Sequence, residues 1–221
     1  MKLYAARFFG NPYLGLYAKA SDKIALAPVG SNQKFLQSLT SLGVPIICAS
    51  IDSSPYLGVY AAMNSHGIIL PPFVSANELS IFKKSGLEIF ILPDGRFSAI
   101  GNNIACNDHG ALVHPELPPK FAKQIEKTLN VPVQQGSICG CKTVGMAVAP
   151  TNAGYVANNR INDEEAEFLF SVFGVRGINC TVNGGAAMVG LGIVANSNGA
   201  LVGGASTGFE IGRIQQGLNL I

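Results

Sequence analysis

The sequence predicts a single α/β domain in which five like units close into a ring, and two observations carry that prediction. The first is a recurring glycine. Gly15, Gly58, Gly101, Gly145 and Gly190 stand 43, 43, 44 and 45 residues apart. Each is followed by apolar or small residues, an Asn/Ser turn and a short apolar run ending near Pro or Gly. Ser98 to Leu117, SAIGNNIACNDHGALVHPEL, is the clearest copy. The second observation is composition: 48% apolar residues against 13% charged leave much to bury and little to solvate. One unit of about 44 residues cannot bury its own apolar faces, whereas five around an axis can. WD-type propellers have four strands per blade and a Trp-Asp signature, and this chain has no Trp. The repeats run 1–44, 45–87, 88–130, 131–176 and 177–221, with no linker between them.

Each unit opens with a strand: Lys2 to Arg7, Pro45 to Ile51, Glu88 to Leu92, Val131 to Gln134 and Ile178 to Val182. A turn then leads to a second strand, expected to contain the repeating glycine. Ser21-Asp22, Asn64-Ser65-His66-Gly67, Asn107-Asp108-His109-Gly110, Thr151-Asn152-Ala153-Gly154 and Asn196-Ser197-Asn198-Gly199 follow it. Such clusters tolerate left-handed backbone and close hairpins. The third strands are Ile24 to Pro28, Ile68 to Pro71, Ala111 to Val113, Tyr155 to Ala157 and Ala200 to Val202. A helix ends each unit. Phe121, Ala122, Ile125 and Leu129 share one face in the third unit, with Lys120, Lys123, Glu126 and Lys127 outward. Ala166, Leu169, Phe170 and Phe173 repeat the pattern in the fourth. Ser75 with Glu78 and Thr207 with Glu210 fit capping boxes, and Pro118 suits a first turn. Gly43, Gly86, Asn130, Gly174 and Gly217 stand where left-handed helix stops belong.

A net charge of +2, with scattered basic residues, argues against a protein that grips nucleic acid mainly through phosphates. Arg7 interrupts the first apolar run, so no signal-peptide core forms. The longest apolar stretch, Ala186 to Ala195, is too short to cross a bilayer. These features predict a cytoplasmic protein. Five cysteines without a secretory signal read as reduced thiols.

Cys139-Gly140-Cys141 has metal-like spacing but lacks the second ligand pair that a zinc site needs, so no metal is expected. Cys48 and Cys180 each stand ten residues before a repeating glycine and read as equivalent packing positions. His66 and His109 read as turn residues, and His114 as a hydrogen-bonding residue at a strand end. Gly184-Gly185 and Gly203-Gly204 match neither phosphate-binding fingerprint and read as close strand packing. No cofactor is called for. The repeating glycines permit close backbone approach near an axis. The residues after them, Leu16, Val59, Asn102, Met146 and Leu191, would form a mixed apolar and polar platform suited to protein recognition.

SAIGNNIACNDHGALVHPEL resembles the central signature of the translation initiation factor 6 family, the ribosome anti-association factors of archaea and eukaryotes. The resemblance extends over the whole chain through Ala49-Ser50-Ile51, Asn64-Ser65-His66-Gly67-Ile68 and Gly184-Gly185. It implies a pentein fold, a monomer and a non-enzymatic role. The factor would occupy the intersubunit face of the large ribosomal subunit, chiefly through ribosomal protein uL14 near the sarcin–ricin loop. It would block the small subunit sterically and take part in large-subunit maturation. Release by the Shwachman–Bodian–Diamond protein with a translational GTPase is also implied. The family's binding end maps onto Gly58-Val59, Gly101-Asn102 and the Asn107-Asp108 turn, with Leu16 and Met146 completing the platform. Eukaryotic members often have Arg where Val59 stands, so that contact is apolar or absent here. The end at Ile221, without the extra tail of eukaryotic members, fits an archaeal-type member.

Guanidine-modifying hydrolases and amidinotransferases share the same five-unit ring and use a Cys nucleophile, a His and acids. Here Cys180, His114 and Asp108 or Glu116 would be the candidates for such an enzyme.

Overall fold

Five three-stranded sheets carry the chain in the computed structural model, which describes residues 2–220. The strands are β1 (Leu3–Ala6), β2 (Lys19–Ala20), β3 (Ala25–Pro28), β4 (Ile46–Ala49), β5 (Ala62–Met63), β6 (Gly67–Leu70), β7 (Glu88–Ile91), β8 (Ile104–Cys106), β9 (Ala111–Val113), β10 (Val133–Gln135), β11 (Val148–Pro150), β12 (Tyr155–Asn158), β13 (Gly177–Cys180), β14 (Ile193–Ala195) and β15 (Ala200–Gly203). Within each repeat the second and third strands form the expected antiparallel hairpin. The remaining strand of each sheet comes from the following repeat and lies parallel to the hairpin's inner strand. In the fifth sheet that strand is β1, with Leu3 opposite Ala200 and Ala6 opposite Gly203. Each central strand is buried along its whole length, so it reads as a continuous small-apolar run rather than an alternating one.

The repeating glycines do not lie in strands. They sit in one-turn helices that precede the second strands: Leu14–Leu16, Leu57–Tyr60, Ile100–Asn103, Val144–Ala147 and Val189–Leu191. Tyr13, Tyr56, Ala99, Thr143 and Met188 lead into them with ψ between 53° and 74°, a tight three-residue turn. Four apolar residues are too few to show a helical or a strand period, and tertiary contact decides the matter. A Cβ on Gly15 would collide with the carbonyl oxygen of Gly190. Likewise Gly58 faces Gly15, Gly101 faces Gly58, Gly145 faces Gly101 and Gly190 faces Gly145. The series of contacts returns to its start.

A second set of links joins neighbouring repeats at the hairpin turns. The Asn64 amide donates to the carbonyls of Asn107 and Leu129, at 3.1 and 2.8 Å. Asn107 donates in the same way to Thr151 and Phe173, and Asn196 to Ser21 and Leu42. Each of these amide oxygens also accepts two N–H groups of its own turn. The side chains are buried and their hydrogen-bonding capacity is fully used.

Five longer helices cover the outside: Gln33–Leu39, Ala76–Lys83, Pro119–Leu129, Asp163–Phe173 and Gly208–Gly217. Both expected capping boxes form, and Asn162 with Glu165 makes a third. The capping glutamates also reach back to the first strand's turn. Glu78 accepts from the N–H groups of Asp52 and Ser53, and Glu210 from those of Gly184 and Gly185. Gly184-Gly185 is therefore a turn tied to a carboxylate, not strand packing. The helix stops at Gly43, Gly86, Asn130 and Gly174 all adopt left-handed backbone. Gly217 stays inside the last helix, and Asn219 supplies the left-handed residue after it. Leu169 and Phe173 are buried as expected, whereas Phe170 is exposed and lies under the Arg176 guanidinium at 4.5 Å.

The core is divided into five apolar clusters, each drawing on two adjacent sheets. One joins Leu26 and Ala49 to Leu57, Ile68 and Phe82, and so spans the first two repeats. Cys48 and Cys180 are not equivalent. By strand register Cys48 matches Asn179 and is exposed, while Cys180 matches Ala49 and is buried. The cause is one extra residue in the fifth repeat, whose turn bridge runs from Val182 to Ala186 where the second repeat's runs from Ile51 to Ser54.

A methyl group on Gly101 would press on two backbone oxygens, those of Gly58 and Ala61. Gly101→Ala is expected to lower unfolding stability by about 1–3 kcal/mol in urea titrations. Gly95→Ala, where nothing stands within 4 Å of the added methyl, is expected to change it by less than about 0.5 kcal/mol. The capping glutamates make acid stability testable as well. Burial alone would raise the Glu78 and Glu210 carboxyls, but the amide and hydroxyl donors around them outweigh it and hold both at about 2, against an ordinary 4.5. A depressed carboxylate contributes stability that is complete above its unfolded value and is lost as pH falls through its folded one. Urea midpoints are therefore expected to fall between pH 4.5 and about 2. The Glu78→Gln/Glu210→Gln double variant should start lower at neutral pH and lose most of that dependence.

Candidate functional site

The one-turn helices pack in a cycle around the axis and give the molecule one of its two ends. In each, the glycine and the residue before it are buried, and the residue after it is half-buried. Leu16, Val59, Asn102, Met146 and Leu191 are thereby brought together, although their codons lie a repeat apart. Four offer aliphatic or thioether surface. Asn102 offers an amide with no hydrogen-bond partner among the described residues, since only its main-chain N–H is engaged, with Ala99. Gly58 and Gly101 are buried beneath this surface and serve its spacing.

Aromatic side chains border the same end. Tyr56, which enters the second turn, is 42% exposed and stacks on Tyr17 with ring centroids 5.4 Å apart. Phe9, at a left-handed turn position, is 68% exposed and meets Phe8 edge-on. Reading only the residue after each glycine misses these groups. Aligning the residue two places before the glycine would have found Tyr13, Tyr56 and Met188.

Asn107 and Asp108 are not part of that surface. Strand β8 separates them from Asn102, and its three residues span roughly 10 Å. Asn107 is consumed by the links between repeats. Asp108 accepts from the Ser65 N–H at 2.8 Å and from the Asn152 amide at 2.6 Å. The same Asn152 amide donates to Asp22 at 2.8 Å, and Asp22 also holds the Ser197 N–H. Burial would raise the Asp108 carboxyl, but these donors prevail and keep it below the usual range. Apart from the buried Ser65 hydroxyl, which has no partner among the described residues, the asparagine and aspartate side chains at this end are satisfied internally. Between the two ends lies an axial cavity of about 60 Å³, walled by the second strands and including Lys19 and Cys106.

The groups considered for catalysis are dispersed. Cys180 closes β13 in an apolar cluster, and burial pushes its thiol up. His114 packs against Phe97, and its Nδ1 accepts the Glu116 N–H at 3.1 Å. Glu116 is paired with Lys142 on the surface. His66 and His109 expose their side chains, and their main-chain N–H groups serve the asparagine turns. Cys139 occupies a left-handed turn position, with its N–H bonded to Glu165 at 2.6 Å. No group of three metal-ligating side chains occurs among the described residues. Among the same residues, no helix is long and apolar enough to cross a membrane.

Comparison with known proteins places this geometry in a family. The family model described as "eIF-6 family" matches residues 3–217. A protein named translation initiation factor 6 from Haloquadratum walsbyi is 35% identical over 217 residues, covering 98% of this chain and 96% of its own. Its counterpart from Pyrococcus abyssi is 39% identical over 220 residues and 97% of each chain. The alignment with the protein of that name from Methanosarcina acetivorans, 40% identical over 111 residues, spans about half of each chain. Matched almost end to end by the family and by full-length relatives, the chain belongs to the eIF-6 family.

Proposed function

We propose that this protein binds the large ribosomal subunit on its intersubunit face and blocks the small subunit by occupying that surface. The observation that carries the reading is the platform of Leu16, Val59, Asn102, Met146 and Leu191. It is partly apolar, half-buried, set on the cycle of one-turn helices, and has one amide without a hydrogen-bond partner among the described residues. Such a surface suits a protein more than a phosphate backbone, which favours ribosomal protein uL14 as the chief contact and the nearby sarcin–ricin loop as a lesser one. The closed series of glycine contacts and the pairing of β1 with β15 support a pentein ring, which the proposal takes to act as a monomer. The names of the relatives support a place in translation initiation. The reading extends to large-subunit maturation, and to release by the Shwachman–Bodian–Diamond protein with a translational GTPase.

Asn102→Arg is expected to weaken co-sedimentation with purified large subunits at least about tenfold, a loss of roughly 1.4 kcal/mol, while the melting temperature stays that of the wild type. Wild-type binding should fall only shallowly with salt. Unchanged binding by the variant would remove the platform from the interface. The reading also contains no chemical step at Cys180. Native protein treated with a thiol reagent is expected to react first at exposed Cys48, with Cys180 resisting until unfolding. Rapid, selective labelling of Cys180 would instead support a nucleophile.

A further inference from the structure

We infer that the axial cavity is a binding site for a small monovalent anion such as chloride, held at the Lys19 ammonium. The inference concerns the interior of the ring and is independent of what docks on its platform. Counting two residues back from each hairpin-turn position, Lys19 corresponds to Ala62, Ala105, Ala149 and Val194. The ring therefore accepts small apolar side chains here, and nothing in its packing requires a lysine. Lys19 nevertheless places an amine in the wall of a cavity of about 60 Å³.

That amine has no internal partner. Among the described residues it forms no ion pair, and no hydrogen bond of its side chain is present. The nearby carboxylates of Asp22 and Asp108 are engaged with Asn152 and with the turn N–H groups at the end of the axis. The other ionisable wall group is Cys106, whose Sγ donates to the Met63 carbonyl at 3.2 Å. Burial pushes that thiol up to about 12, so it brings no negative charge. An ammonium carries three donors and no acceptor, and half-buried Lys19, with none of them taken by a side chain or carbonyl among the described residues, must find its acceptors in the contents of the cavity. Consistent with this, burial pulls the Lys19 amine below the ordinary lysine range.

An anion resolves the mismatch by supplying the missing charge and accepting the N–H groups. Size limits the choice. The cavity has room for only a few water-sized bodies, which suits a halide with water rather than a nucleotide or a polyphosphate. A single ammonium also neutralises one negative charge, which favours a monovalent ion over sulfate.

The test uses the intact protein and bromide, a heavy halide. Crystals soaked in sodium bromide should show an anomalous peak within hydrogen-bond reach of Lys19 Nζ. In solution, chloride should raise the melting temperature saturably relative to gluconate at equal ionic strength, by about 5–10 °C at a hundredfold excess over the dissociation constant. Lys19→Ala, which restores the residue found in three other repeats, should fold and lose both effects. No peak at Lys19 in wild-type crystals would overturn the proposal. So would a peak without saturable stabilisation, which would mark an adventitious ion only. A chloride response equal in the wild type and Lys19→Ala would overturn it too.

Discussion

Backbone must meet backbone at five points around the axis, and everything else in the molecule follows from that approach. A side chain of even one carbon at Gly15, Gly58, Gly101, Gly145 or Gly190 would strike the carbonyl of the neighbouring turn. The one-turn helices exist because this contact sets how the chain bends there. The second strands follow directly from the turns, and their spacing around the axis is inherited from it. With the strands placed, the apolar clusters between sheets have a fixed volume to fill. No repeat owns its cluster, since each is shared with a neighbour.

The two ends of the axis are treated differently. At the hairpin end, asparagines, aspartates and main-chain groups satisfy one another, and Asn64, Asn107 and Asn196 have no capacity left for a partner. At the other end the backbone of the glycine turns carries the contacts around the axis, although Leu16 also packs on an apolar cluster. The position is Leu in the first and fifth repeats and Val59, Asn102 and Met146 in the others. Pseudo-symmetry holds the ring together, and its breakdown at these positions is what makes one face distinctive. The third repeat departs elsewhere too. Where other repeats place left-handed turns such as Asp52-Ser53, it uses Asp94 to accept the Arg96 N–H.

Much of this architecture was legible because glycine, asparagine and proline mark backbone events directly. The repeat length, the hairpins and four helix stops come from such residues, and two capping boxes from Ser75 with Glu78 and Thr207 with Glu210. The one-turn helices were not legible, because sequences like Leu57-Gly58-Val59-Tyr60 carry no period and a tertiary contact chooses their conformation. Counting back from the glycine also made Cys48 and Cys180 look alike. The extra residue lies inside a turn, at Asn183-Gly184-Gly185, where a count along the chain cannot locate it. The repeat register alone places Leu16, Val59, Asn102 and Met146 at one end of the axis. Asn107 and Asp108, close in sequence to Asn102, stand at the other end of β8. Tyr56 was findable two places before its glycine, but its exposure, like that of Phe9, depends on where neighbouring repeats fall.

The lending of strands between repeats has a consequence for how the molecule is made. Every sheet is completed by the repeat that follows, and the fifth by β1, the first strand to be synthesised. That strand waits without its mate until residues 200–203 have been added. The first four sheets can assemble in order as the polypeptide lengthens, each new repeat finishing the one before. The last cannot, so the wheel stays open on the translating ribosome and shuts only once the fifth repeat has been produced.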